Sequence, residues 1–324
     1  MKAWVCHRLS EDRSGLRFEP AWPDAPPPAP GEVRVALTAA ALNFPDLLML
    51  AGGYQFKPRL PFIPGVEGVG IVTDTGGGVD PALAGRRVIV GARSGCLAEA
   101  ITLPAESTRS APEGCSDAEA AAYAVGALTA WVGLVERGRL GNGETLLVTG
   151  AGGGMGLAAV AMGRALGAHV IAAASDERKC DAARAAGADE TLLIDRAVPD
   201  FSVFKDRVDV VFDPVGGALF GPAVQTLRWN GRYLLIGFAG GIPASFALNS
   251  ALIKGIEIVG VRAGEFGRRD PSGGARVRAE IDALVTSGHY RPCIGMEVPL
   301  ARVGEAFAAM AAGTLVGKAV VRIR

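Results

Sequence analysis

Between residues 144 and 261, short apolar runs alternate with stretches of helical spacing. Thr145-Leu146-Leu147-Val148 runs into a glycine cluster at residues 150–156, and residues 157–167 continue with apolar positions spaced for a helix. His169-Val170-Ile171-Ala172-Ala173-Ala174 predicts the next buried strand, and further strands are expected at residues 190–194, 208–213, 231–237 and 256–261. Strand alternating with helix is the pattern of a parallel, doubly wound sheet. The N-terminal third reads differently. Residues 1–5 predict a strand, residues 19–31 are proline-rich and must be extended or turning, and residues 32–37 alternate as a half-buried strand does. Residues 40–54 read as a loop entering a short helix, with Pro45 in its first turn and Gly52-Gly53 at its end. Short strands with Gly and Pro turns, continuing to about residue 90, argue for an irregular β-rich domain. Ser116 is placed to cap a helix with acids in its first turn, and residues 126–131 stay helical. A last amphipathic helix is expected at residues 276–287 and a last strand at residues 317–323, with no internal repeat.

Strand, glycine turn and helix together make a pyrophosphate site. Amides at the helix start point outward with the positive end of the helix dipole behind them, and a Cβ in the turn would stand between backbone and ligand. Ala151, Gly153 and Gly156 occupy the three glycine positions of the dinucleotide fingerprint, so the first is a departure. The candidate pyrophosphate residues are Gly152, Gly153, Gly154, Met155 and Gly156. Where an NAD site closes its second strand with an acid, this chain has Ala174-Ser175, then Asp176, Glu177, Arg178 and Lys179. A hydroxyl followed by cations suits a 2′-phosphate, so Ser175, Arg178 and Lys179 favour NADPH over NADH. Asp176 is the competing signal, since a shift of one residue restores an NAD-type acid.

Composition narrows the rest. A chain of 324 residues with 49% apolar content is long enough for two cores. Zero formal net charge gives no general attraction to nucleic acid or anionic lipid. No apolar run is long enough to span a bilayer, and residues 1–6 do not open a signal peptide. Cys6, Cys96, Cys115, Cys180 and Cys293 are scattered without metal or disulfide spacing, so a cytoplasmic setting is expected.

The motifs Leu42-Asn43-Phe44-Pro45-Asp46, Pro64-Gly65-Val66-Glu67-Gly68, Gly126-Ala127-Leu128-Thr129-Ala130, the loop at residues 149–156, Gly187-Ala188-Asp189-Glu190, Phe212-Asp213-Pro214-Val215-Gly216-Gly217, Gly231-Arg232, Ile236-Gly237-Phe238 and Gly317-Lys318-Ala319-Val320 occur in that order. In this the chain resembles the zinc-free medium-chain dehydrogenases/reductases of the NADPH:quinone oxidoreductase (zeta-crystallin-like) branch. The resemblance implies an α/β protein with a GroES-like β-rich catalytic domain at residues 1–124. A Rossmann NADPH-binding domain at 125–262 and a C-terminal segment at 263–324 that returns to the first domain complete it. It implies a nicotinamide in an interdomain cleft lined by Asn43, Tyr54 and Thr129, with Phe238 and Val261 flanking its ribose and Lys318 reaching the cofactor. Asn43, Asp46 and Tyr54 are the candidate catalytic residues, Tyr54 being the best placed by type to donate a proton. Each has a plainer reading: a turn before a helix for Asn43 and Asp46, core packing for Tyr54 and Phe238, a hydroxyl bonded to its own helix for Thr129, and an ordinary surface lysine at 318.

Zinc-dependent relatives carry a cysteine near Asn43, a histidine where Val66 stands, and a four-cysteine lobe after about residue 90. This chain lacks all of these, so no metal is expected. A second departure is Asp195-Arg196, where the family often places a tyrosine that helps hold the 2′-phosphate. The expected activity is hydride transfer from NADPH to a quinone. The alternatives are reduction of a 2-alkenal, enone or enoyl thioester and, in another class, a non-catalytic NADPH-binding or RNA-binding role. Zero net charge and the lack of a basic run count against RNA. The expected partners are a small-molecule quinone or enone and a second copy of the chain, as homodimer or tetramer, through an apolar edge strand at residues 253–261. Residues 264–274 are expected to form a loop at the cleft mouth.

Overall fold

The computed structural model describes residues 1–241 and 243–324. The chain divides into two compact units, Met1–Ala124 with Ile294–Arg324, and Val125–Cys293. The return to the first unit therefore begins at Ile294, later than the residue 263 expected. The reason is that Ala263–Arg269 and Pro271–Thr286 form helices that pack on each other inside the second unit.

In the first unit the long strand Glu32–Ala41 pairs antiparallel with Glu67–Thr75, Ala100–Pro104 and Lys318–Arg322. The sheet order runs Ile294–Pro299, Lys318–Arg322, Glu32–Ala41, Glu67–Thr75, Arg87–Gly91, Thr108–Ser110, and the C-terminal strands are thus built into the first unit's sheet. Its core joins Val33, Val35, Leu37, Met49 and Leu50 to Val303, Phe307 and Val321. Phe44–Ala51 is the short helix expected, with Asn43 at its start and Gly52 left-handed (φ 77°) at its end.

In the second unit Glu190–Leu193, His169–Ala174, Thr145–Val148, Val208–Asp213, Leu227–Leu235 and Glu257–Gly260 lie side by side in that order, all parallel. In chain order this is 3-2-1-4-5-6, the Rossmann arrangement, with its reversal between Thr145–Val148 and Val208–Asp213. Leu147, Ile171, Val211 and Tyr233 build the core against the helices.

Several expectations need correction. A helix at Val303–Ala311 follows the one expected to be last; Val303, Ala306 and Phe307 carry its buried face. Residues 264–274 are largely helical rather than a loop. The edge strand is only Glu257–Gly260, because Ile253 and Lys254 end the helix Leu248–Lys254, which Gly255 (φ 59°) terminates. The fifth strand starts at Leu227, four residues before residue 231, its exposed Arg228, Trp229 and Asn230 hiding it from pattern reading. Among the described residues no helix is long and apolar enough to cross a membrane, and all five cysteines are free.

Candidate functional site

The first unit gathers a buried polar cluster where it has least reason to tolerate one. Asn43, Asp46, Glu67 and Lys318 are all buried, Asp46 and Glu67 completely. The Lys318 ammonium lies 2.6 Å from Glu67 Oε1 and donates to Asn43 Oδ1 at 2.8 Å. The Asn43 amide donates to Glu67 Oε1 at 2.8 Å and to the Ala41 carbonyl at 3.3 Å, so both its hydrogens are engaged within the protein. Asp46 reaches back to accept from the Asn43 backbone amide (2.8 Å) and the Gly65 amide (3.0 Å). The plain reading of Asn43 and Asp46 as organisers of a helix start is thus realised for Asp46. The Asn43 side chain instead ties two strands that are far apart in sequence. Burial pushes the Asp46 carboxyl up to about 7, against the pull of those two amides and of Lys318. Burial, with Asp46 and Glu67 nearby, also pushes the Cys96 thiol far above its usual range, so it stays protonated and inert. Among the described residues no group of three or more His, Cys, Asp or Glu side chains is arranged to hold a metal. Tyr54 is half-buried and packs against the first unit's core.

The second unit carries the glycine turn. Gly150 is left-handed (φ 57°) and Gly153 starts the helix Gly154–Ala165 without a side-chain cap. Among the described residues the amides of Gly154, Met155 and Gly156 meet no acceptor. A Cβ on Gly156 would lie 2.3 Å from the Gly150 carbonyl oxygen, whereas one on Gly153 meets nothing closer than 3.6 Å. Gly156 is therefore required by packing, while the space at Gly153 is left open, as a cradle for a ligand requires. Both observations fit a diphosphate. A Cβ on Gly152 would run into the Lys179 side chain, which lies across it.

At the end of the second strand, Ser175 lines an open cleft of about 430 Å³ with Leu193, Ile194, Asp195 and Arg196. The Lys179 ammonium, on a nearly buried side chain, lies 3.1 Å from Ser175 Oγ and 3.2 Å from Asp176 Oδ2. Asp176 caps the helix Glu177–Ala185 by accepting from the Lys179 amide at 3.1 Å. Partial burial raises its carboxyl, but the bonds from Lys179 and the charges of Lys179 and Arg178 outweigh this and hold it below the usual range. Arg178 is exposed. Thr129 donates to the Val125 carbonyl at 2.9 Å, the bond of a hydroxyl to its own helix. Phe238 is 47% exposed, too much for plain core, and Val261 is buried with its amide on Leu235.

Residue reasoning singled out neither Glu67, the carboxylate that Asn43 and Lys318 share, nor Asp213, which accepts from Thr149 and Tyr233. A signal was available for both, because each is an acid set inside or at the end of an apolar strand.

A family profile described as "Alcohol dehydrogenase GroES-like domain" matches residues 29–137, and one described as "Zinc-binding dehydrogenase" matches residues 154–276. "Quinone oxidoreductase-like protein 2" of Bos taurus is 35% identical over 304 residues, 92% of this chain and 87% of its own length. A probable oxidoreductase from Mycobacterium abscessus superposes with a TM-score of 0.86 at 32% identity, covering 100% of this chain and 99% of the other. The quinone oxidoreductase from Thermus thermophilus, solved also in complex with NADPH, superposes with a TM-score of 0.79 at 30% identity over 100% of both chains. By fold, by the order of its motifs and by these relatives, the chain belongs to the zinc-free medium-chain dehydrogenase/reductase family of the quinone oxidoreductase type, and is an oxidoreductase.

Proposed function

We propose that the protein is an NADPH-dependent quinone oxidoreductase, and that Ser175 is the observation that carries the cofactor choice. Of the residues lining the cleft, Ser175 at the end of the second strand offers a hydroxyl with a lysine ammonium beside it, Asp195 accepts from the Ala197 amide, and the neighbouring carboxylate of Asp176 is turned onto its own helix. An NAD site needs the reverse, an acid presented to the ribose hydroxyls. Ser175 and Lys179 would hold the 2′-phosphate, with Arg178 and Arg196 adding positive charge from the surface. The amides of Gly154, Met155 and Gly156 would hold the diphosphate, with Gly153 giving room for it and Gly152 letting the Lys179 side chain cross the turn. Phe238, Val261 and Thr129 are the proposed nicotinamide-side residues of the second unit. That the Thermus thermophilus relative was solved with NADPH supports this reading.

When bound, NADPH supplies a hydride; the protein positions it and excludes water. Asn43, Asp46 and Tyr54 are the proposed catalytic residues of the first unit, with Asn43 and Lys318 also on the cofactor side. Asn43 and Lys318 act there chiefly as a fixed scaffold, since the lysine ammonium and both amide hydrogens of Asn43 are engaged with protein groups. A reduced quinone takes its protons from water, so no dedicated acid is required, and Tyr54 is the donor if one is used. Five free cysteines fit a reducing, cytoplasmic setting. The exposed Leu248, Leu252 and Ile253 on one helix lie beside the Glu257–Gly260 edge strand in sequence, and support a homodimer through that edge. Steady-state assays with quinones and with enones, each against NADPH and NADH, test the whole reading. Turnover of quinones with NADPH is expected; preference for enones would replace the substrate half, and preference for NADH would refute the cofactor half.

A further inference from the structure

Three strand ends meet at one carboxylate. Asp213 closes the strand Val208–Asp213 and is completely buried. Its Oδ1 accepts from the Thr149 hydroxyl, from the Val215 amide at 2.9 Å and from the Gly216 amide at 2.9 Å. Its Oδ2 accepts from the Tyr233 hydroxyl and again from the Gly216 amide, at 3.0 Å. Every partner donates, so the carboxylate serves purely as an acceptor, and such charge-assisted bonds are about twice as strong as neutral ones. Burial, with Asp213 alongside, pushes the Tyr233 phenol well above its usual range and keeps it a donor.

The position of this hub gives it consequence. Thr149 follows the strand Thr145–Val148, and the reversal of strand order falls between that strand and Val208–Asp213. That reversal is where an open parallel sheet binds its ligand. Thr149 also precedes Gly150, the left-handed residue that starts the glycine turn. A Cβ on Gly150 would lie 2.6 Å from Val215 Cγ2, so the glycine turn is packed directly on the residue whose amide Asp213 holds. The segment after the fifth strand hangs on the same turn: the Ala239 amide donates to the Pro214 carbonyl at 3.1 Å and the Gly240 amide to the Val215 carbonyl at 2.8 Å. Phe238 immediately precedes these anchors.

We propose that Asp213 is a positioning residue for dinucleotide binding: one buried carboxylate sets the glycine turn on one side and the segment bearing Phe238 on the other. The inference rests on the NADPH reading above but concerns a different contact. It acts on the backbone that meets the diphosphate and on the nicotinamide-side segment. It is therefore blind to the 2′-phosphate, and its loss weakens NADPH and NADH by the same factor.

The test uses Thr149→Val, which removes one donor at constant shape, with Thr149→Ser as the rescue that restores the hydroxyl. Tyr233→Phe removes the donor on the opposite oxygen without touching the glycine turn, and stands in should Thr149→Val fold poorly. Two quantities are read: dissociation constants for NADPH and NADH by fluorescence titration, and amide exchange over residues 149–156 and 214–217 in cofactor-free protein. Thr149→Val should weaken both dinucleotides about tenfold, the worth of one hydrogen bond to a charged group, and speed exchange in both segments. Thr149→Ser should restore both quantities to within about twofold. Tyr233→Phe should loosen the same segments and weaken both cofactors equally. Unchanged affinity and exchange in Thr149→Val and Tyr233→Phe would overturn the inference while leaving the NADPH reading intact, as would a loss confined to NADPH. A wild-type protein that binds neither dinucleotide would overturn the reading and the inference together.

Discussion

Replacing Lys318 by methionine tests the buried cluster of the first unit most severely. The Lys318 and Glu67 side chains are 7% and 1% exposed, with 2.6 Å between the charged atoms. At an effective dielectric constant near 20, such a pair attracts by about 6 kcal/mol, and burying the two ions costs several kcal/mol each, so the intact pair contributes little net. Removing the cation alone is another matter. Glu67 then stays buried beside Asp46 without the Lys318 ammonium, and breaking such a buried pair costs about 3–5 kcal/mol. Lys318→Met should therefore lose that much stability, and the further change Glu67→Gln should return at least about 2 kcal/mol of it. Because the chain divides into two compact units, the assay is urea unfolding read through amide exchange of the strand Glu32–Ala41, which lies between the strands carrying Glu67 and Lys318. A Lys318→Met protein within about 1 kcal/mol of wild type, or a double variant no better than the single, would refute this account of the cluster.

Asp46 is raised in the folded protein to about 7 from 3.8, so the native state holds the extra proton across that window and stability falls as pH rises through it. The effect is at most about 4 kcal/mol; Asp46→Asn should flatten the dependence between about pH 4 and 7, and parallel wild-type and variant curves would contradict it. Ser175→Asp should raise the KM for NADPH at least about tenfold, with a much smaller effect on NADH, and an unchanged ratio would count against the 2′-phosphate site. Gly156→Ala drives a Cβ onto backbone and should cost about 1–3 kcal/mol, whereas Gly153→Ala should keep wild-type stability and lose cofactor affinity. Light scattering should give twice the chain mass, and Leu252→Asp with Ile253→Asp should give the monomer; a monomeric wild type would dismiss the proposed edge pairing.

The sequence was most readable where one residue type has one physical use. Glycines at 150–156 after an apolar strand, Pro45 and Gly52 around a short helix, and alternating strand and helix beyond residue 144 all have few alternative meanings. Reading failed where polarity and structure part company. Arg228-Trp229-Asn230 opens a strand with exposed residues, and Gly255 ends a helix where an apolar run suggested continuous strand. Val303, Ala306 and Phe307 did carry helical spacing, in a segment where no helix was expected. For the site, local chemistry singled out Ser175 and Lys179, and the family resemblance pointed to Asn43 and Asp46. Neither could show that Lys318 meets Glu67 and Asn43, since 251 and 275 residues separate them and only sheet pairing brings them together. The contacts of Asp213 with Thr149 and Tyr233 were hidden for the same reason.

The central claim is that the turn before Gly154 and the cleft at Ser175 bind NADPH. Isothermal titration of the purified chain with NADPH, with NADH in parallel, addresses it directly. Saturable heat with one NADPH per chain and clearly weaker NADH is the predicted result; no heat with NADPH, or equal affinity for both, would contradict it.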